Sequence, residues 1–520
     1  MGLEELLPKA IKLFPNREAV VCGSTRLSYQ EFGHRVWRLS HALNALGLVQ
    51  GDRLAILHEN CHVFLESYLA AAHLGLILVP LNYRLSPKEL AMILRDSGSR
   101  MLLAQGKFRK NVEALRDLVK MEKILWTQPD SEPLKSGDDL YEELLRDQPR
   151  TPPRAGTHAG GDVAHLYYTS GTTGRPKGVM LTHRNVKTHA LGTIAELHLT
   201  DRDRWIHVAP LFHLADAWAT FAITWVGGKH VLVPVFDPRS VFRAVENEGI
   251  TITNLIPTML NMMVNHPDVG KYDYSSLRVL LSGGAPIAPE LVRRIIEAFR
   301  CDYIQTYGMT ETSPYLTLSI IKDHLKSLPW EEQLRYKAST GREFIGVSLR
   351  VVDSEGNDVA GDNQQVGEII VKGDIVTPGY WALPEETEKA FRDGWLYTGD
   401  LAVMDPEGYV NIVDRKKDMI LTGGENVYST EVENVLYAHP HVLEAAVIGV
   451  PDTHWGEAVK ACVVLKKGGQ ATAEEIIGFC KEHLAHYKAP KTVDFLEELP
   501  RTGSGKIYKK GLKDSAREIG

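Results

Sequence analysis

The feature that most restricts this chain is the repeated change of hydrophobic period between Leu27 and Ala104. Ser28 and Glu31 form a capping-box pair, and Phe32, Val36, Leu39, Leu43 and Leu46 follow at helical spacing, so one helix face is buried. Arg53–Leu57 then reads as a strand, 63–73 as a helix, 76–79 as a buried strand, Pro87–Ser97 as a helix and 100–104 as a strand. Units that alternate in this way argue for a mostly parallel α/β sheet covered on both faces.

At 520 residues, 44% of them apolar, the chain exceeds one ordinary core, and more than one domain is expected. The net charge is −7 with basic residues dispersed, which leaves no electrostatic footprint for nucleic acid. Five cysteines, odd in number and without a Cys-x-x-Cys pair, fit reduced thiols in the cytoplasm. The acidic start, Met1 to Leu6, lacks the basic and apolar regions of a signal peptide, and Leu6 does not satisfy the myristoylation pattern that Gly2 suggests. The most apolar region, 68–81, is broken by His73 and Pro80 and is too short to span a bilayer. A soluble protein is expected, with peripheral membrane contact and a homodimer left open. The proline-, glycine- and charge-rich stretch 128–162 reads as a surface connection.

Tyr167 and Tyr168 look like the end of a strand that delivers Thr169-Ser170-Gly171-Thr172-Thr173-Gly174-Arg175-Pro176-Lys177-Gly178. Hydroxyls and glycines from Thr169 to Gly174 let the backbone bend tightly and turn N–H and O–H groups toward one centre, which is how a protein holds phosphate. Lys177 adds a compact positive charge suited to a polyphosphate. The same composition also suits a flexible, solvated loop. A Walker A loop would place Gly-Lys-Ser/Thr before a helix; here proline and lysine precede Gly178 and the apolar run Val179-Met180-Leu181, so this is a different nucleotide loop. Thr182 is placed to cap a helix starting near Arg184.

The sequence Thr-Ser-Gly-Thr-Thr-Gly-x-Pro-Lys-Gly resembles the signature of the adenylate-forming superfamily, which holds acyl-CoA synthetases, non-ribosomal peptide adenylation domains and beetle luciferases. Later stretches extend the resemblance across nearly the whole chain. Val279 to Pro286 reads as a strand entering a small-residue turn, and Gln305-Thr306-Tyr307-Gly308-Met309-Thr310-Glu311 puts an aromatic face, a hydroxyl and a carboxylate close together. By the resemblance, Gly284, Ala285 and Pro286 lie along the adenine and the acyl pocket. Tyr307 stacks on adenine beside Gly308 and Met309, Thr310 contacts phosphate, and Glu311 coordinates Mg²⁺.

Pro210-Leu211-Phe212-His213 resembles the segment that borders the acyl pocket and gates the thiol; on position alone His213 suits a satisfied core histidine, and Trp218 suits core packing better than a pocket wall. Asp400, after Tyr397-Thr398-Gly399, either caps a turn or, as the resemblance implies, binds the ribose together with Arg415. The charged run Asp414 to Asp418 is the best domain boundary, leaving a C-terminal portion of about 100 residues. The resemblance puts the hinge at Lys417. Gly423-Gly424-Glu425-Asn426-Val427-Tyr428, by itself a turn, lets backbone approach a pantetheine arm. Lys506, in Pro500-Arg501-Thr502-Gly503-Ser504-Gly505-Lys506, is a solvated tail lysine on composition, and by resemblance the catalytic lysine that meets charge developing at phosphorus.

Two departures stand out: Gly341 to Gly346 lacks the family's proline, and Asp414-Arg415 stands where relatives commonly carry Gly-Arg. Both put local loop geometry in doubt and leave the chemistry-bearing side chains in place. The resemblance implies layered α/β subdomains with mostly parallel sheets over 1–416 and a small mobile α+β domain over 417–520. Its activity would join a carboxylic acid to CoA through acyl-AMP, using ATP and Mg²⁺. The predicted pocket segments, His213 to Thr224, Ile256 to Met263 and Gly283 to Ala285, are apolar or neutral apart from Asp216, which favours a hydrophobic monocarboxylate. Three other readings stay open: ligation to a carrier protein, a luciferase-like adenylating oxygenase, and an ATP-binding regulatory protein without catalysis.

Overall fold

The computed structural model describes residues 2–128, 132–169, 176–501 and 507–519. The chain divides into two compact units, Met1–Leu349 with Val371–Leu396 and Arg350–Ile370 with Tyr397–Gly520.

The first unit realises the expected alternation. Strands Arg53–Leu57, Ile77–Pro80 and Met101–Gln105 run parallel, with Leu54 opposite both Leu78 and Met101. Helices His62–Leu74 and Pro87–Ser97 make the crossovers. Leu54, Ala55, Ile56 and Leu57 are all fully buried, as a parallel sheet clad on both faces requires. The helix Tyr29–Ala45 carries the expected Ser28/Glu31 capping box, and Pro87–Ser97 has its own from Ser86 and Glu89. This sheet continues outward through Lys123–Thr127 to Asp138–Leu140, and on the other side through Val163–Thr169 to the antiparallel Lys177–Thr182.

The stretch 128–162 is more than a surface connection, because it contains the edge strand Asp138–Leu140 and the helix Tyr141–Arg146. The Asp138 carboxylate accepts from Trp126 Nε1 at 2.9 Å and from Arg116 at 2.6 Å. A strand held by tertiary polar partners carries no periodic apolar signal.

A second sheet in the same unit runs through Thr25–Ser28, Glu18–Cys22, Lys229–Leu232, Arg204–His207, Ile252–Asn254, Val279–Gly283 and Asp302–Gly308, parallel from Glu18–Cys22 onward. Tyr315–Leu318 and Gly341–Glu343 add antiparallel strands beyond it. The helices Pro238–Glu248 and Pro289–Phe299 bury Val241, Phe242, Val245, Val292, Ile295 and Phe299 against Ile206, Leu280 and Tyr303.

From Tyr397 onward the strand Trp395–Met404 belongs to the second unit, where it pairs antiparallel with Tyr409–Arg415 in register through Asp400 and Arg415. The second unit also holds a smaller sheet in the order Glu425–Val427, Ile420–Thr422, Gly456–Leu465, Val442–Asp452, with Thr492–Phe495 paired to Gly456–Leu465. Helices Ser429–Ala438 and Ala473–His483 pack Val432, Leu436, Ile476 and Cys480 on Val447, Val459 and Ala461. The layered α/β architecture with a smaller α+β portion is therefore the one expected. All five cysteines are free, and no helix among the described residues is long and apolar enough to cross a membrane.

Candidate active site

Parallel strands deliver their C-terminal ends to one edge, where open α/β sheets place ligands. In the first sheet, Thr169 and Lys177 face each other across the antiparallel pair that closes the predicted phosphate loop. Ser170, Gly171, Thr172, Thr173 and Gly174 lie outside the described residues. Thr182 caps the helix His183–Glu196 as expected, its hydroxyl accepting from Asn185 N at 3.1 Å.

In the second sheet, Val279–Gly283 and Asp302–Gly308 run side by side, with Gly283 opposite Thr306. The turn at Gly284, Ala285 and Pro286 thus emerges beside Tyr307, and Gln305 Nε2 fixes it by donating to Ala285 O at 2.8 Å. Gly284 has φ +87°, a conformation that favours glycine. A Cβ on Gly308 would fall 1.7 Å from the Pro314 carbonyl oxygen, so only glycine lets the chain fold back here. Met309 N donates to Pro314 O and to Thr312 Oγ1, each at 3.1 Å, closing the turn that carries Thr310 and the buried Glu311.

A segment that sequence reasoning missed joins the two sheet ends. Thr377 N donates to Glu311 O at 2.8 Å, and Ser313 Oγ donates to Ile375 O at 2.7 Å. On its other side Met180 N donates to Gly379 O at 3.1 Å and Trp381 N to Gly178 O at 2.7 Å. Tyr380, between them, donates its hydroxyl to Glu311 Oε1 at 2.9 Å. Lys177 Nζ stands 5.1 Å from the centroid of the same ring and 2.5 Å from Glu386 Oε2. Burial, and then the Glu311 carboxylate, push the Tyr380 phenol up, so it stays a donor. Lys177, followed by Lys389, holds the Glu386 carboxyl down at about 2. The available signal was Pro378-Gly379 followed by two aromatics: it marks a turn but not the turn's partners.

His213 lies at the start of the helix Leu214–Ala217, its N–H bonded to Pro210 O at 2.9 Å and its ring 4.5 Å from that of Phe212. Tyr68 OH links this segment to the phosphate strand by bonding Leu211 O at 2.9 Å and Tyr167 OH at 2.6 Å. Trp218 is core, as position alone suggests: it is 2% exposed, with Nε1 donating to Ala215 O and Tyr315 OH at 3.1 Å each. Asp216 is fully buried; its Oδ1 accepts from Trp205 Nε1 at 2.7 Å, while its Oδ2 lies 3.3 Å from His207 Nδ1 without a hydrogen-bond partner among the described residues.

In the second unit, Asp400 and Arg415 form the cross-strand pair, with Arg415 Nε 3.3 Å from Asp400 Oδ1. Gly423 and Gly424, at φ +60° and +85°, form a two-residue hairpin turn between Thr422 and Glu425, all exposed except Thr422. Asp414 accepts from Ser429 N and from Ser429 Oγ, the latter at 3.0 Å, and so satisfies the first free N–H of the helix Ser429–Ala438. Lys506 lies outside the described residues; Arg501 and Ile507 on either side form an antiparallel bridge.

Comparison with known proteins identifies the family. Residues 7–381 match the family described as AMP-binding enzyme, and 431–506 match the AMP-binding enzyme C-terminal domain. The chain belongs to the AMP-binding enzyme family. It is similar to a feruloyl-CoA synthase of Amycolatopsis sp, 39% identical over 511 residues that cover 98% of each chain. A long-chain-fatty-acid–CoA ligase of Thermus thermophilus is 38% identical, with 99% of this chain and 95% of that one covered. The crystal structure of ATP-bound MatB from Rhodopseudomonas palustris superposes with a TM-score of 0.88 at 30% identity, covering 100% of both chains. As a member of this adenylate-forming superfamily the protein is an AMP-forming acid–CoA ligase, with ATP and CoA as co-substrates.

Proposed function

We propose that the protein activates a hydrophobic monocarboxylate, aryl or fatty, as its acyl-adenylate and transfers the acyl group to CoA. The observation that carries the site assignment is the meeting of Lys177 and Glu311 on Tyr380, three residues far apart in sequence. A carboxylate oxygen attacks the α-phosphorus of ATP, the bond to the bridging oxygen breaks, and pyrophosphate leaves. The CoA thiolate then attacks the acyl carbonyl, and AMP departs with the former carboxylate oxygen.

Catalysis of the first step is placement and charge stabilisation. Lys177 and the hydroxyl-rich loop from Thr169 hold the triphosphate, Tyr307 with Gly284 to Pro286 holds adenine, Asp400 and Arg415 hold the ribose, and Lys506 meets the charge at phosphorus. Glu311 and Thr310 offer hard oxygen donors of the kind Mg²⁺ takes, and Tyr380 donates a neutral hydroxyl to Glu311, which fits that role. Bound Mg²⁺ supplies positive charge that offsets the triphosphate.

A thiol must enter where Lys506 acts, so one fixed arrangement serves both steps badly. We assign the pivot to Lys417, with 417–520 turning to exchange Lys506 for the hairpin at Gly423, Gly424 and Glu425. The full burial of Asp216, with its Oδ1 bonded to Trp205, takes the one acidic group of the pocket segments away from the surface and supports an apolar acid. Five free thiols support a reducing, cytoplasmic location. The test is AMP and pyrophosphate formation with ATP and CoA over a panel of ferulate, benzoate, C4 to C16 fatty acids and malonate. Turnover should follow apolar acids and leave malonate behind. Pyrophosphate release that no acid stimulates would overturn the reading.

A further inference from the structure

We propose that Tyr380 is a positioning residue of the adenylation site: its hydroxyl sets the Glu311 carboxylate for the divalent cation, and its ring face aims Lys177 at the triphosphate. The inference rests on the roles given to Glu311 and Lys177 above.

The backbone leaves the ring little freedom. Tyr380 bridges antiparallel to Val179, and its N–H donates to Thr387 Oγ1 at 3.0 Å. Gly379 before it stands at φ +141°, where a Cβ would fall 2.4 Å from Thr387 Cγ2. Trp381 after it is tied at both ends, by N–H to Gly178 O at 2.7 Å and by Nε1 to Asp96 O at 3.2 Å.

The donor type matters as much as its place. A carboxylate accepts several hydrogen bonds, so the Tyr380 O–H helps set its direction while occupying one acceptor site. A phenol is also neutral and adds no positive charge beside Glu311, whereas a lysine or arginine in the same place would repel the incoming cation. The contact with Lys177 is complementary. Attraction of an ammonium to a ring face consumes none of its N–H groups. Lys177 spends one donor on Glu386 and is held over the ring without spending another. Tyr380 therefore orients the anionic and the cationic partner of the nucleotide from one rigid side chain.

The two contacts separate by substitution. Tyr380→Phe deletes the hydroxyl and keeps the ring; Tyr380→Leu deletes both. Mn²⁺ binding to the enzyme with ATP, read by electron paramagnetic resonance without acid substrate, should weaken about tenfold in Tyr380→Phe. The Mg²⁺ concentration for half-maximal pyrophosphate release should rise by a like factor, while metal-free ATP affinity, measured in chelator, stays at the parent value. Tyr380→Leu should also lower that metal-free affinity about tenfold. A purely structural role would move all of these together with the melting temperature, and the Phe variant alone decides if the Leu variant does not fold. Glu311→Gln is the reference. If it loses Mn²⁺ while Tyr380→Phe binds as tightly as the parent, the positioning role is overturned. If Glu311→Gln also binds Mn²⁺ as the parent does, the metal-ligand assignment falls first and the inference with it.

Discussion

Lys177 Nζ and Glu386 Oε2 stand 2.5 Å apart across 209 residues of sequence. The pair fixes the one described cation of the predicted phosphate loop before any nucleotide arrives, and Lys177 keeps the Glu386 carboxyl at about 2 instead of its ordinary 4.5. A lowered carboxyl pKa means that the pair's contribution is complete above about pH 4.5 and fades as pH falls toward 2. Lys177→Met should raise the Glu386 titration toward its ordinary value, with Lys389 still holding it somewhat below, followed by the carboxyl carbon shift in NMR. It should also raise the KM for ATP about tenfold or more, the worth of a charge-assisted hydrogen bond. A Glu386 titration that stays near 2 in the variant would show that the pair is not its cause.

Gly308→Ala tests the turn that presents Glu311. The new Cβ would meet the Pro314 carbonyl oxygen at 1.7 Å and backbone N of Leu316 at 2.9 Å, and neither is a flexible side-chain end. The chain must open at that point, so the expected cost is roughly 2–4 kcal/mol, together with loss of adenylation. Denaturant melts and acid-dependent pyrophosphate release measure the two effects. A variant as stable and active as the parent would mean that the turn is softer than its packing indicates.

Much of this was legible because the signals were local. Arg53–Leu57 and Pro87–Ser97 stand at the expected bounds, and the Ser28 and Thr182 caps are formed, since each depends on residues within a few positions. The juxtaposition of Gly284 to Pro286 with Tyr307 follows from parallel pairing that the alternation implies. Tyr380, Thr377 and Glu386 were not legible, because their roles arise from pairing with strands some 200 residues earlier, and a Pro-Gly turn does not announce its partner. Asp414 reads in sequence as a departure from the family pattern, whereas in the fold it accepts from the first N–H of a helix that begins at Ser429. Asp138–Leu140 was hidden because its polar contacts are tertiary.

Buried histidines set a pH limit on the first unit. Burial lowers His165, His183 and His189 to about 3 and His58 to about 4, from an ordinary 6.5. His189 Nε2 accepts from Tyr315 N at 3.3 Å, which only the neutral ring can do. The unfolded chain binds these protons below pH 6.5 and the folded chain does not, so stability is complete above 6.5 and falls as pH drops toward 4 for His58 and toward 3 for the other three. Each group contributes a slope of about 1.4 kcal/mol per pH unit once its unfolded form is protonated. Urea melts at pH 7.5, 6 and 5 should show the decline, and His189→Gln should make it shallower by one proton. Equal stability at pH 7.5 and 5 would refute the assignment.

The two half-reactions offer a paired test of the hinge proposal. Gly423 stands at φ +60° with its N–H donating to Trp455 O at 2.8 Å, and a Cβ there would fall 2.8 Å from the Trp455 ring. Gly423→Val therefore distorts the hairpin proposed to line the thiol's path and touches nothing assigned to ATP. Acid-dependent ATP–pyrophosphate exchange should stay within about twofold of the parent, while thioester formation from supplied acyl-adenylate falls at least about tenfold. Lys506→Ala should do the reverse, cutting exchange by about a hundredfold or more and sparing thiolysis, because its charge is assigned only to the phosphorus-centred transition state. Opposite losses in two variants cannot come from general destabilisation, which would lower both steps together. If Gly423→Val and Lys506→Ala instead depress the same step, the exchange of these two elements at one site is wrong.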